Sequence, residues 1–152
     1  MTDEGVGPAR EPHDGARDER PVISDYEMVP IGELREHEAI DRANLAVREA
    51  DIVEHGGVVP IVAEREHKVI LNGHHRYNAL RRLGCKRVPV YLVDYYSPDV
   101  RLELWPESSV CRLSKRDVVK MGLGKEVFPP KTTRHTFAYR FRRKRVPLSE
   151  LM

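Results

Sequence analysis

The pattern of hydrophobic and polar positions predicts an ordered region that begins near Ile23. Residues 1–22 are rich in glycine, proline and charged side chains and contain almost no large apolar residue. Such a segment cannot offset the conformational entropy that is lost on ordering. We therefore expect a disordered tail over residues 1–22 and a single folded domain over residues 23–152.

Helices are predicted where apolar residues recur at helical spacing. The first covers DRANLAVREADIVEHGG, which ends in two glycines. Its apolar stripe consists of Ile40, Leu45, Ile52 and Val53. The second helix covers HHRYNALRRLG, and a third, shorter helix covers SKRDVVKMG, where Ser114 and Asp117 have the spacing of a capping box.

Strands are predicted from short runs of β-branched and apolar residues. YEMVPI alternates as an edge strand does, VVPIVAE and HKVILN form a hairpin around the charged turn ERE, and RVPVYLVDY and VRLELWP follow. The prolines of FPPKTTRH predict a loop there, whereas TFAYRF is predicted as a strand and PLSELM as a short terminal turn. Strands interspersed with helices indicate the α/β (α+β) class.

Composition and charge exclude several classes of protein. The net charge is only +2 with 33% charged residues, so neither a nucleic-acid-binding protein nor an acidic tail protein is indicated globally. The two cysteines lack metal-binding spacing, and no apolar run reaches the length of a membrane span. The N-terminus has no signal-peptide pattern, so we expect a cytoplasmic protein. The basic sequence RFRRKR at residues 140–145 leaves a nucleic-acid partner open.

The sequence NGHHR places a tight turn between a strand and a helix. Asn72 ends the strand, Gly73 allows the turn, and His74, His75 and Arg76 open the helix. Unpaired N–H groups at a helix N-terminus attract anions, and arginine adds a planar fork of donors that suits phosphate. The alternative is a helix start with exposed polar residues. A metal site is disfavoured, because adjacent histidines there point in different directions and no further ligand lies at suitable spacing.

Four separated segments resemble the ParB/sulfiredoxin-like superfamily and, within it, the archaeal free L-serine kinases. They are REHE at residues 35–38, NGHHR at 72–76, VDYYSPDVRLELWP at 93–106 and PPKTTRH at 129–135. The sulfiredoxin branch requires a cysteine where this chain has His74. The ParB partition proteins carry a GERR-type motif and a helix-turn-helix domain, neither of which is found in this sequence. The resemblance implies a small mixed sheet with flanking helices.

The resemblance to the kinases also implies a reaction, in which a phosphoryl group moves from ADP or ATP to the hydroxyl of free L-serine. It implies Mg²⁺ as cofactor and Glu38 as the base that takes the hydroxyl proton. Asn72, which stands where the family has an aspartate, is implied as a second catalytic residue. The implied phosphate-binding residues are Gly73, His74, His75 and Arg76. The implied serine-binding residues are Trp105, Lys131, Thr133 and His135. No residue is assigned as a metal ligand.

Two departures from the kinases motivate an alternative. Residues 107–128 replace a long second lobe of the archaeal kinase, and Asn72 brings no negative charge. The alternative is a non-catalytic, ParB-like nucleotide-binding or DNA-associated regulator that uses residues 140–145. The donor nucleotide and the oligomeric state stay open at this point.

Overall fold

A computed structural model describes residues 17–152. The helices are α1 (Arg42–His55), α2 (His74–Arg82) and α3 (Lys115–Leu123). The strands are β1 (Val22–Ile23), β2 (Glu27–Pro30), β3 (Gly57–Val58), β4 (Ile61–Glu64), β5 (Ile70–Asn72), β6 (Arg87–Val93), β7 (Val100–Leu104), β8 (Thr133–Phe137), β9 (Arg140–Phe141) and β10 (Val146–Pro147). Short 3-10 turns cover Ile31–Glu33 and Leu148–Glu150.

A four-stranded mixed sheet forms the centre of the fold, in the order β2-β6-β4-β5. β2 pairs antiparallel with β6, β6 parallel with β4, and β4 antiparallel with β5. Because β4 and β6 are parallel, the chain between them must cross over, and α2 lies on that crossover. β7 and β8 form an antiparallel pair that packs beside β5.

Alternate residues of the central strands belong to two hydrophobic cores, as the pleat requires. On one face, Ile61 of β4 and Val90 of β6 pack with Leu80 of α2 and with α1. On the other face, Val62 and Tyr91 pack with α3 and β7. The sheet therefore lies between helices, as the sequence predicted, with the N-terminus of α2 emerging directly from β5.

Most predicted elements are confirmed. The edge strand, the hairpin, all three helices and the capping box at Ser114 and Asp117 are present. Asp41 caps α1, and Gly56 ends it in the left-handed conformation. No helix within residues 17–152 is long and apolar enough to cross a membrane.

Two local predictions are wrong. Val53 was placed in the apolar stripe of α1, but its side chain is 56% exposed, and Ile52 is the buried residue of that helix. The predicted loop FPPKTTRH ends in a strand, since β8 begins at Thr133 and pairs with β7. Val22 pairs with Arg140, and residues 1–16 lie outside the described residues, so the predicted tail stays a prediction.

Candidate active site

The turn between β5 and α2 brings backbone N–H groups together. Gly73 has φ +110°, and a Cβ atom there would lie 2.5 Å from Cγ2 of Ile61. The Gly73 carbonyl accepts the N–H of Tyr77 at 2.9 Å, and no side chain caps the helix. The first N–H groups of α2 are therefore available to a ligand, in the arrangement that favours an anion.

The two histidines that follow Gly73 both accept hydrogen bonds from one loop. Nε2 of His74 accepts the backbone N–H of His37 at 3.2 Å, and Nε2 of His75 accepts the backbone N–H of Asp41 at 2.9 Å. They thus hold the segment of residues 35–41, which we call the Glu38 loop, on both sides of Glu38. Because these Nε2 atoms act as acceptors, they do not carry the hydrogens that a phosphate would need. The predicted phosphate contacts of both histidines stay a prediction.

Arg76 contacts the backbone that precedes β4. Its Nη1 atom donates to the carbonyl oxygens of Val59 and Pro60, at 3.1 Å in each case. The predicted contact of Arg76 with phosphate stays a prediction.

Glu38 is held by residues that lie more than 90 positions further along the chain. Its Oε1 atom accepts the N–H of Thr133 at 2.9 Å and lies 2.9 Å from the hydroxyl oxygen of the same residue, and its Oε2 atom accepts the N–H of Lys131 at 3.1 Å. The backbone of residues 37 and 39 also bonds to Phe128 on both sides. Burial raises the pKa of the Glu38 carboxyl, and the hydrogen bond from the backbone N–H of Thr133 partly opposes that shift. This carboxyl is consequently a stronger base than an exposed one when it is ionised.

His37 lies directly behind Glu38 and is fully buried. Its Nδ1 atom lies 2.8 Å from the carbonyl oxygen of Ile70, and its Nε2 atom lies 2.8 Å from the hydroxyl of Thr133. Burial lowers the pKa of His37 to about 4. The ring is therefore neutral at pH 7.

His135 lies in the same buried group of rings. Nδ1 of His135 donates to the carbonyl oxygen of Leu71 at 3.1 Å, and Nε2 accepts the hydroxyl of Tyr95 at 2.8 Å. Burial lowers its pKa to about 3, so this ring is also neutral. Both ring nitrogens are engaged within the protein, so His135 supports the site from beneath; its predicted contact with serine stays a prediction.

The other predicted serine-binding residues are Trp105 and Lys131. The backbone of Trp105 bonds to Thr132 at 3.2 Å, and its half-buried ring lies 4.7 Å from the guanidinium of Arg134. Lys131 is exposed and adopts φ +60°, which directs its N–H at Glu38. The ammonium of Lys131 lies 4.0 Å from Glu107, and the predicted contacts of Trp105 and Lys131 with serine stay a prediction.

Asn72 ends β5 at the edge of the same site. Its half-buried side chain makes no hydrogen bond to another residue within residues 17–152, so its amide can serve a ligand. The fold therefore gathers Glu38, Asn72, the α2 N-terminus and β8 in one region. Sequence reasoning missed His37 and Tyr95, although His37 stood next to Glu38 in the REHE segment that carried the resemblance.

The chain was compared with known proteins, and no family model matches it. It is 32% identical over 99 residues to a ParB-like protein of Sulfolobus acidocaldarius, a match that covers 58% of this chain and 48% of the relative. It is 30% identical over 83 residues to an ATP-dependent L-serine kinase of Desulfurococcus mucosus, with 51% of this chain and 32% of the relative covered. An ADP-dependent L-serine kinase of Thermococcus kodakarensis is 29% identical over 86 residues, with 53% and 36% covered.

Among solved structures, a free serine kinase in complex with AMP superimposes with a TM-score of 0.78 at 17% identity. That match covers 90% of this chain and 98% of the kinase chain. The chain has the ParB/sulfiredoxin-like fold of the free serine kinases. The predicted fold class and resemblance are thereby confirmed. The matched segments span less than half the length of the curated relatives.

Proposed function

We propose that this protein transfers the terminal phosphoryl group of ADP or ATP to the hydroxyl of free L-serine, giving O-phospho-L-serine. One observation carries the proposal: a partly buried carboxyl, Glu38, is held by Lys131 and Thr133 next to the uncapped N-terminus of α2. A base beside a phosphate-binding helix end is the arrangement that phosphoryl transfer to a hydroxyl requires.

Each part of the site has a role in this reaction. The N–H groups of α2 bind the nucleotide phosphates, with Gly73 permitting their close approach and Arg76 adding charge. Lys131 faces the serine carboxylate, and Trp105 forms a wall of the serine pocket. Oε2 of Glu38 takes the hydroxyl proton while the serine oxygen attacks the terminal phosphorus. The bond from that phosphorus to the bridging oxygen breaks, and the shortened nucleotide leaves.

Magnesium fits this site as an ion that arrives with the nucleotide. Within residues 17–152, no group of three or more His, Cys, Asp or Glu side chains could hold a metal ion. Mg²⁺ needs few protein ligands when phosphates and water complete its shell, and it would neutralise phosphate charge there. Asn72 offers an amide oxygen at the same edge.

The relatives support the reaction and leave the donor open. The matched relatives include ATP-dependent and ADP-dependent L-serine kinases. Solved free serine kinases contain AMP or ADP, and AMP is the nucleotide that ADP becomes after it donates a phosphoryl group. Free serine and nucleotides are metabolites of the cytoplasm, where we propose that this protein acts.

The deciding experiment incubates the purified protein with Mg²⁺, L-serine and either ADP or ATP, and detects phosphoserine by ³¹P NMR. We expect product with at least one donor. E38Q should lower kcat by about 10²-fold to 10⁴-fold, as loss of a general base does, and should still bind nucleotide. E33Q is a matched control at an exposed glutamate and should retain activity. Absence of phosphoserine with both donors would refute the proposal.

A second candidate function is a ParB-like regulator that binds nucleotide or DNA without turnover. The match to a ParB-like protein favours it, as does the exposed basic group of Arg142, Arg143 and Lys144. Arg145 is less available, since it pairs with Asp51 at 3.0 Å. This function predicts salt-sensitive DNA binding that weakens when Arg142 and Arg143 are neutralised.

A further inference from the structure

The hydroxyl of Thr133 lies between Glu38 and His37 and contacts both. Its oxygen is 2.9 Å from Oε1 of Glu38 and 2.8 Å from Nε2 of His37. On the far side of the imidazole, Nδ1 lies 2.8 Å from the carbonyl oxygen of Ile70. The four groups form one continuous chain of hydrogen bonds from the protein interior to the base.

The hydrogen atoms that this chain of hydrogen bonds contains can be counted. A carbonyl oxygen only accepts, so the contact with Ile70 requires a hydrogen on Nδ1 of His37. In a neutral imidazole, Nε2 is then an acceptor and takes the single hydrogen of the Thr133 hydroxyl. The remaining contact, from Thr133 to Glu38, needs a hydrogen on the Glu38 carboxyl. Burial favours this protonated form of Glu38, which agrees with the count.

A second arrangement uses the same three hydrogens. If the Glu38 proton passes to the Thr133 oxygen while the Thr133 proton passes to Nε2 of His37, Glu38 becomes a carboxylate and His37 becomes an imidazolium. Every contact of the chain then again joins one donor to one acceptor. The two arrangements have equal net charge, so no proton has to come from or go to water.

We propose that His37, acting through the Thr133 hydroxyl, is a positioning residue that removes the proton from Glu38 and so prepares the base for each turnover. This inference rests on the proposed kinase function. The O–H bond of Glu38 breaks and the N–H bond at Nε2 of His37 forms, with Thr133 giving one proton and receiving another. Oε2 of Glu38 then takes the serine proton, and one proton is released to water as the product leaves.

The surroundings of His37 suit this role. His74 and His135 face it, with ring centroids 4.7 Å and 6.0 Å away, and the ring of Phe128 lies at 6.4 Å. Burial holds the pKa of His74 well below its usual range and that of His135 at about 3. Both neighbours are neutral when His37 takes a proton, so neither repels it.

The test measures kcat/KM against pH for four variants. H37Q retains a polar atom toward Thr133 but cannot take a proton, so Glu38 has to ionise into water. We expect the acid limb of the pH profile of H37Q to move up by about one pH unit, because the imidazolium of His37 is lost from the vicinity of the Glu38 carboxylate. At high pH, the activity of H37Q should approach that of the unaltered protein. T133V should behave like H37Q, whereas T133S should restore the original profile. H55Q replaces an exposed histidine of α1 and should change nothing.

A purely structural role for His37 would lower kcat/KM equally at all pH values, and that result would overturn the inference. A second measurement needs no turnover: the ¹³C carboxyl resonance of Glu38 is titrated in the free protein. H37Q and T133V should raise its midpoint, and H55Q should not. If the protein makes no phosphoserine, the kinase proposal fails, whereas this titration still tests whether His37 takes the proton of Glu38. An unchanged Glu38 midpoint in folded H37Q and T133V contradicts it.

Discussion

Gly73 meets two conditions that only glycine satisfies. Its φ of +110° is strained for any other residue, and an added Cβ would lie 2.5 Å from Ile61. The sequence indicated the tight turn, because a glycine between a strand and a helix is a local signal. It did not indicate the approach of Ile61, since β4 lies beyond a hairpin and reaches the turn only through the sheet.

We expect G73A to lower the free energy of unfolding by about 2 kcal/mol or more and to weaken ADP binding, because both the strain and the contact distort the start of α2. Urea denaturation and calorimetric titration measure the two effects. G32A is a matched control, since Gly32 has no atom within 4 Å of an added Cβ. Equal stability and affinity in G73A and G32A would contradict this role.

The residues around Glu38 show how far sequence reasoning reaches. Glu38, Lys131 and Thr133 were assigned through the resemblance, and they lie in direct contact. His37 was missed because a histidine in a charged segment resembles a solvated residue. Only the folded chain shows that it is fully buried behind the carboxyl.

At the scale of elements, the helices were predicted well because their signals are local. Asp41 caps α1 by accepting the N–H groups of Ala43 and Asn44, and Ser114 caps α3 in a capping box. The predicted strand TFAYRF overlaps the end of β8, but the start of β8 was placed in a loop. Its pairing with β7 joins residues 104 and 133, a contact that no local pattern reports. The prolines before it dominated the local signal.

The two caps give a matched pair of variants. D41A and S114A should each lower the free energy of unfolding by about 1 kcal/mol, because each leaves a first-turn N–H group without its acceptor. D41A should also reduce kcat for phosphoserine formation, since loss of the side-chain cap loosens the start of α1, where the backbone N–H of Asp41 anchors the Glu38 loop to His75. S114A should leave kcat unchanged. Thermal denaturation and the phosphoserine assay distinguish the two; equal kcat in both variants would contradict the anchoring role.

At the scale of the whole molecule, the buried histidines link stability to pH. The pKa of His37 is about 4 in the folded protein and near the ordinary 6.5 in the unfolded chain. The unfolded state therefore binds protons more readily, so stability is lost as the pH falls from 6.5 toward 4. The shift corresponds to about 3 kcal/mol for this ring, and the lowered pKa of His135 acts in the same direction.

H37Q tests this linkage. We measure the free energy of unfolding with urea at pH 7.5 and at pH 4.5 and expect it to be lower at pH 4.5. The decrease should be about 2 kcal/mol smaller in H37Q than in the unaltered protein, because glutamine takes up no proton. H55Q should retain the original difference between the two pH values. The same pH dependence in H37Q and H55Q would show that His37 does not carry the effect.

The anchoring of Glu38 also has a consequence for the order of folding. Its three hydrogen bonds come from partners 93 and 95 positions away, whereas the turn at Gly73 forms within one strand and one helix. Closing so long a loop costs entropy that local contacts do not require. During synthesis, the Gly73 turn, which we propose binds phosphate, can therefore assemble well before Glu38 is fixed. On the proposed function, nucleotide binding should appear early in refolding, and phosphoryl transfer only when β8 has paired and Thr133 contacts Glu38.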